Sequence, residues 1–216
     1  MSLAAKEEFR CSHCGAVETV TVYDSINVAN DPQLKEKVKN GSLFIWECPD
    51  CGSLNLAPHQ TLYHDPDNKL MVWYTPENVA LSQEQMNLFG EKLKDYTLRR
   101  TEDIGSLIEK VSIHDAGLDD VVIEMCKYVT KMELAESPEY RAKARSLLET
   151  PFKFYKLNGA DNEIVLSFPD NGEMKVLNIG FNVYEDCKRI LERNPSVKPE
   201  PGFAKVDAAW LSTIFR

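Results

Sequence analysis

The sequence predicts an α+β protein: an N-terminal zinc-ribbon-like β unit with an inserted helix, then a helical segment and a small C-terminal α/β segment. Three observations support this prediction. Two Cys-X-X-Cys pairs lie among alternating apolar and polar residues, apolar residues then recur at helical spacing, and the last third returns to strand-like alternation. The predicted boundaries are 9–76, 77–150 and 151–216.

The first segment reads as short strands around one helix. Asp31-Pro32 predicts the start of that helix, with Asp31 as its cap, and Asn40-Gly41 predicts its end. The four residues 65–68 have the composition of a turn. The predicted strands are 18–26, 42–47, 53–62 and 69–74.

The other two segments differ in period. The middle segment is predicted to be helical up to about residue 149, with helices beginning near residues 82, 104, 118 and 137. In the C-terminal segment, strands are predicted at 152–157, 163–168 and 174–179, and helices at 181–193 and after Asp207. Cys126 and Cys187 fall on apolar helical stripes and are expected to be core residues.

Composition and charge limit the classes of function. The 216 residues carry a net charge of −9, distributed as −4 over residues 1–76, −5 over 77–150 and 0 over 151–216. No segment is basic, which argues against nucleic-acid binding because such binding depends on Lys and Arg. No apolar run reaches the ~20 residues of a membrane helix, and the N-terminus has no signal-peptide pattern. We therefore expect a cytoplasmic protein that makes no membrane contact.

The strongest chemical signal is the two cysteine pairs, Cys11 with Cys14 and Cys48 with Cys51, each followed by glycine. Two thiolates at this spacing lie on one side of a tight turn, and the glycine permits the left-handed backbone that such a turn needs. Two turns of this kind supply four sulfurs in a tetrahedron, which suits Zn²⁺. Because protein fills all four positions, the predicted zinc site is structural rather than catalytic.

Other interpretations of the cysteines stay open. An iron–sulfur or redox-active pair is possible, although a thioredoxin-like motif needs a βαβ context that this sequence lacks. Disulfide bonds are not expected in a chain without a secretory signal. His13 lies inside the first pair and can replace a sulfur in principle, but we expect it to be exposed at the tip of the turn.

Roughly residues 9–130 resemble the CpXC domain family, which is named after its Cys-Pro-X-Cys motifs. The resemblance rests on the two cysteine pairs, the segments 31–38 and 62–65, and the later segments 107–110 and 115–120. One departure is Ser12, which stands where the motif has proline. Proline would stiffen the turn, so its absence is expected to loosen the first turn slightly without removing a ligand. The resemblance implies a metal-binding protein of bacteria or archaea and supplies no activity.

Evidence for catalysis is weak. His64-Asp65 is the most compact acid–base pair, and it can act as a base or bind a second metal, but a turn role for Asp65 is the simpler interpretation. An enzyme hypothesis places these residues, or Glu109 and Asp119, in a cleft between the β unit and the helical segment. Common nucleophile, zinc-protease and nucleotide-binding motifs are absent from the sequence.

Three hypotheses of function follow. The first is a zinc-stabilised protein that binds a protein partner, which rests on the closed metal site and on the missing catalytic motifs. Core packing is the default expectation for Phe44, Trp46, Trp73 and Tyr74, but an exposed pair among them would mark a binding face. The alternatives are the cleft enzyme and a nucleic-acid-binding zinc ribbon, against which the charge of the first segment argues.

Overall fold

The computed structural model describes residues 1–76 and 93–215, so most of the helix predicted from residue 82 lies outside the described residues. The chain forms two compact units. The first comprises Met1–Val111 and Pro201–Ala204, and the second comprises Ser112–Glu200 and the chain from Lys205 onward. The three-part division of the sequence stays a prediction.

The first unit is built on a mixed five-stranded sheet in the order β1-β2-β5-β6-β7, beside a separate two-stranded sheet of β3 and β4. β1 pairs with β2 and β5 with β6 in antiparallel fashion, whereas β2 with β5 and β6 with β7 run parallel. The strands are β1 (Leu3–Arg10), β2 (Val17–Asn27), β3 (Ile45–Glu47), β4 (Leu54–Leu56), β5 (Thr61–Asp65), β6 (Leu70–Tyr74) and β7 (Thr97–Thr101).

Helix α1 (Gln33–Lys39) lies in the connection from β2 to β5, and it buries Leu34 and Val38. These side chains join a core with the fully buried Ile26 and Tyr63 of the sheet and with residues of α2 (Ile104–Asp115). The predicted cap is wrong, because no side chain caps α1 and the Asp31 carboxylate accepts a hydrogen bond from the Ser2 N–H at 3.0 Å. The helix ends as predicted at Asn40, before a glycine with φ of 77°.

β3, the second cysteine pair and β4 form a short hairpin over residues 45–56, which we call the ribbon hairpin. It is shorter than the two strands predicted there. A 3₁₀ turn (Ser42–Phe44) precedes β3, and after β4 the Ala57 N–H bonds to the Phe44 carbonyl. Pro58 comes next and lacks the N–H that further pairing would use.

The second unit packs helices around a three-stranded antiparallel sheet in the order β10-β9-β8. Cys126 and Cys187 are buried in its core, as predicted. A hairpin turn joins β9 to β10 with φ of 54° at Asn171 and 81° at Gly172, which is the conformation favoured between twisted strands. The elements are α3 (Asp120–Glu136), a 3₁₀ turn (Arg141–Lys143), α4 (Ala144–Glu149), β8 (Lys153–Asn158), β9 (Glu163–Asp170), β10 (Glu173–Gly180), α5 (Phe181–Arg193) and α6 (Ala208–Ser212).

The α+β prediction is confirmed, with two strands that it missed. β1 lies before the first predicted element, and β7 lies in a segment that we predicted to be helical. That helical prediction is wrong at Thr97–Thr101, where parallel pairing with β6 holds the chain extended. Among the helices in the described ranges, none combines the length and apolar character that crossing a bilayer needs.

Candidate metal centre

The two cysteine pairs form turns with the same hydrogen bonds. At the first pair, the Cys11 N–H donates to the carbonyl of Ala16 at 2.7 Å, and the Gly15 N–H donates back to the carbonyl of Cys11 at 3.0 Å. At the second pair the corresponding distances, to Ser53 and from Gly52, are 2.9 and 2.8 Å. The two glycines have φ of 78° and 70°, so each pair is the tight left-handed turn that the sequence predicts.

The four cysteine sulfur atoms converge. All of them lie within 4.8 Å of one another, with Cys11 Sγ 3.7 Å from Cys51 Sγ and Cys14 Sγ 3.6 Å from Cys48 Sγ. These separations are far longer than the ~2.05 Å of a disulfide bond. They match the ~3.8 Å edge of a tetrahedron whose metal–sulfur distances are about 2.3 Å. The four cysteines can therefore hold a metal ion.

The centre has an inner and an outer side. The first cysteine of each pair is buried, since Cys11 is 2% exposed and Cys48 is 1% exposed. The second cysteine of each pair, Cys14 and Cys51, is exposed. The buried sulfurs belong to a small cluster with Val22 and other apolar side chains. His13 is exposed at the tip of the first turn, as predicted.

Backbone and side-chain donors favour the thiolate form at two cysteines. The backbone N–H of Cys14, assisted by the side chain of Asn55, lowers the pKa of Cys11 to about 6 against the opposing effect of burial. The side chain and then the backbone N–H of Ser53 lower the pKa of Cys51 in the same way. Metals bind the thiolate rather than the thiol, so these donors prepare two ligands for a metal.

The other two cysteines favour the neutral thiol. The N–H of Ala16 favours the Cys14 thiolate, but the neighbouring sulfurs, Cys51 foremost, together with burial raise the pKa of Cys14 to about 12. Burial raises the pKa of Cys48. Four sulfurs this close cannot all carry charge unless a cation joins them, so uptake of a divalent ion would release protons from this cluster.

Asn55 links the two turns, and our sequence analysis missed it. Its Oδ1 accepts hydrogen bonds from the backbone N–H and the hydroxyl of Ser12 at 2.9 and 2.8 Å. Its Nδ2 donates to the carbonyl of Ser53 at 2.9 Å and to Cys11 Sγ at 3.5 Å. A polar residue between Leu54 and Leu56 was the only signal available in the sequence.

A family comparison agrees with this geometry. The family model described as CpXC protein matches residues 9–127, which include both cysteine pairs. This chain belongs to the CpXC family. The CpXC match begins within β1 and ends within α3, so it covers the metal centre and most of the first unit. No curated protein matches the chain, and no solved structure does.

His64 lies on β5 with structural partners. The side-chain amide of Asn27 donates to His64 Nδ1 at 3.5 Å, and His64 Nε2 shares a hydrogen bond of 3.2 Å with the hydroxyl of Tyr96. Burial lowers the pKa of His64, although the nearby charge of Asp65 opposes that effect. The side chain therefore favours the neutral form and ties β5 to its neighbours.

Asp65 has the turn role that the sequence predicts. The backbone N–H and side-chain amide of Asn68 donate to its two carboxylate oxygens at 3.2 and 3.1 Å. The ammonium of Lys35 on α1 lies 3.0 Å from the same buried carboxylate. Asp65 therefore closes the turn between β5 and β6 and anchors α1.

The second acidic pair of the enzyme hypothesis is divided between the units. Asp119 caps α3 by accepting hydrogen bonds from the N–H groups of Val121 and Val122 at 2.8 and 3.4 Å. Glu109 is buried on α2, in the first unit. A capping role accounts for the position of Asp119.

The aromatic residues of the β unit are core residues, which is the default expected of them, and they offer no exposed pair as a binding face. Phe44, Trp46, Trp73 and Tyr74 are all buried. The apolar residues that the ribbon hairpin leaves exposed are aliphatic instead: Ile45, Leu54 and Leu56.

Proposed function

We propose that this CpXC protein binds one Zn²⁺ through Cys11, Cys14, Cys48 and Cys51, and that the zinc site holds the ribbon hairpin in place for binding a protein partner. The proposal of metal binding rests on the convergence of four sulfurs, which all lie within 4.8 Å of one another and include two separations of 3.6 and 3.7 Å. Four thiolates are typical of structural zinc, and they leave no open position for water or substrate.

Elemental analysis tests the metal. We expect one zinc per chain in protein purified without added metal, and a lower melting temperature after chelation. Iron with visible absorbance would instead support an iron–sulfur or redox site. Protein that is folded but binds no added zinc would contradict the proposal.

An exposed aliphatic face supports the binding role. Within the ribbon hairpin, Ile45 lies opposite Leu56 and Glu47 lies opposite Leu54. Leu54 is 69% exposed and Leu56 is 62% exposed, whereas Trp46 and Asn55 between them point inward and are buried. Single exposed leucines are ordinary, but aliphatic residues at three of the four outward positions of one hairpin are typical of an interaction surface.

Charge favours one class of partner. Glu47 lies on this face, Asp50 is exposed at the tip of the same hairpin, and residues 1–76 carry a net charge of −4. A second copy of the chain would bring like charges together. The occupant we infer is a segment of another protein that carries aliphatic side chains for the leucines and Lys or Arg for the carboxylates.

Site-specific crosslinking followed by affinity measurement tests this role. A photoreactive residue in place of Leu56 is used to capture the partner in cells, and the captured contact segment is mapped by mass spectrometry. Binding of the purified partner is then measured for the wild type and for Leu54→Glu. Met174→Glu is the matched control, because Met174 is an exposed apolar residue of the other unit.

We expect a basic, aliphatic contact segment, at least tenfold weaker binding by Leu54→Glu, unchanged binding by Met174→Glu, and weaker binding at high salt. Equal binding by wild type and Leu54→Glu would overturn the docking face. A chain that binds mixed-sequence DNA or RNA in a salt-dependent manner would favour the nucleic-acid alternative instead. Contacts within the described residues give no support to the enzyme hypothesis at His64 and Asp65.

A further inference from the structure

Asn55 uses its full hydrogen-bonding capacity inside the metal centre. A side-chain amide has two donor hydrogens and a carbonyl oxygen with two lone pairs. Asn55 is 7% exposed, and its four contacts, two to Ser12 and one each to Ser53 and Cys11, fill all four positions. The orientation of the amide is therefore fixed, because a flipped amide would face its N–H₂ group toward the two donors of Ser12.

These contacts join three parts of the centre. Asn55 itself stands on β4, Ser12 lies within the first cysteine pair, and Ser53 directly follows the second pair. One side chain thus fixes the separation of the two turns. It also places an N–H donor on the buried sulfur of Cys11.

Ser12 is the residue that makes this arrangement possible. Proline, which the family motif has at this position, would stiffen the turn but would supply neither a backbone N–H nor a hydroxyl. Ser12 supplies both, and both are directed at the Asn55 carbonyl oxygen. The departure from the motif therefore adds two donors that hold Asn55 in place.

We propose that Asn55 is a positioning residue of the metal centre, which holds the Cys11 thiolate at its vertex through the Nδ2–H···Sγ hydrogen bond and is itself held by Ser12. This inference rests on the proposed metal binding. Hydrogen bonds from outside the ligand set orient the ligands of metal sites, and their removal typically costs 10- to 100-fold in metal affinity.

The first test is direct and needs no substitution. In protein loaded with ¹¹³Cd²⁺, the side-chain amide protons of Asn55 should show a scalar coupling to the metal, because the hydrogen bond to Cys11 Sγ is the path that transmits it. Absence of this coupling, with couplings from the cysteine β protons present, would overturn the proposal.

The second test compares zinc-release rates in excess chelator. Asn55→Asp keeps the acceptor for Ser12, removes the donor to Cys11 and adds a negative charge, so we expect release to be about 10- to 100-fold faster. Ser12→Pro restores the motif but should accelerate release, and Ser12→Ala, which keeps the N–H, should do so less. Asn178→Ala is the matched control, because it removes an exposed hydrogen bond from a side-chain amide to the Glu163 carboxylate in the second unit.

The outcomes separate this inference from the proposed function. Wild-type protein that binds neither zinc nor cadmium would refute the metal centre itself. Wild-type protein that binds zinc, together with release within about twofold for Asn55→Asp and Ser12→Pro, would refute the role of Asn55 alone. If Asn55→Asp does not fold, the cadmium–amide coupling in the wild type and the zinc-release rates of the Ser12 variants still test the role of Asn55.

Discussion

Removal of the metal should unfold the ribbon hairpin and the first cysteine turn, residues 9–17, and leave the rest of the chain folded. The perturbation is chelation, or Cys48→Ser, which removes one buried ligand. The hairpin has little apolar support, because the cluster that it joins contains three buried side chains besides cysteine: Val22 of β2, Trp46, and Ala57 just after β4. The neighbouring core around Ile26 and Tyr63 is a separate cluster.

The magnitudes favour local unfolding. Ordering the 12 residues of the hairpin, 45–56, costs about 18 kcal/mol at roughly 1.5 kcal/mol per residue. Burial of Val22, Trp46 and Ala57 returns only about 8 kcal/mol. The deficit of about 10 kcal/mol is within the ~10–16 kcal/mol that zinc supplies to small structural sites. We therefore expect the hairpin to depend on a bound metal.

Hydrogen exchange followed by mass spectrometry is the assay. After chelation, peptides covering 9–17 and 45–56 should lose protection, whereas peptides covering 61–74 and 163–180 should keep it. Cys126→Ser is the matched control for Cys48→Ser, since it makes the same substitution at an equally buried thiol outside the cluster. Cys126→Ser should lower the stability of the second unit, but it should cause neither metal loss nor faster hydrogen exchange in the ribbon hairpin.

Two results would refute this reasoning. Protection that persists in 45–56 after elemental analysis shows the metal to be gone would mean that the hairpin is stable without it. Loss of protection in 45–56 and 163–180 together would mean that the hairpin is not a separate unit of folding.

Three further substitutions have expected outcomes. Leu166→Ala, in the core of the second unit, should lower the free energy of unfolding in urea by about 2–5 kcal/mol, whereas Val176→Ala, 63% exposed, should change it by less than about 0.5 kcal/mol; equal effects would contradict the assigned core. Asp119→Ala should lower the free energy of unfolding, measured by thermal unfolding, by about 1 kcal/mol, and Asp119→Asn should lower it much less because asparagine can also cap the helix. Equal losses for the two variants would contradict the capping role. Burial lowers the pKa of His64, so as pH falls the unfolded chain takes up a proton on this residue before the folded chain does. The free energy of unfolding should therefore decrease as pH drops below the ordinary histidine pKa of 6.5, and His64→Gln should remove part of that decrease. The same pH dependence of stability in the wild type and in His64→Gln would count against a buried neutral histidine.

Local patterns account for what the sequence predicted well. The cysteine turns need only four consecutive residues and a glycine, and the structure has Gly15 and Gly52 in the left-handed region. The strands and turn of the second unit follow from alternation and from Asn171-Gly172. Helix α5 spans the residues that were predicted, because its apolar stripe is complete within its own length.

Non-local contacts account for the misses. β1 carries charged residues at four of its eight positions and is an edge strand, so its extended form comes from pairing with β2. β7 is extended because it lies parallel to β6, a partner that no local pattern identifies. The role of Asn55 depends on Cys11 and Ser12, more than 40 residues away. Contacts of this kind are made by the fold and leave little trace in neighbouring residues.

The two-sided burial of the cysteines has a consequence for the chemical reactivity of the chain. All six thiols are free, four are buried, and the two exposed ones are Cys14 and Cys51. A thiol-directed reagent therefore meets the native chain first at two cysteine sulfurs that both belong to the metal centre. Coordination would shield these two sulfurs, so metal occupancy would set how readily alkylating reagents and peroxides attack the cysteines. Oxidation of either exposed sulfur after metal loss would remove a ligand and prevent the ion from returning.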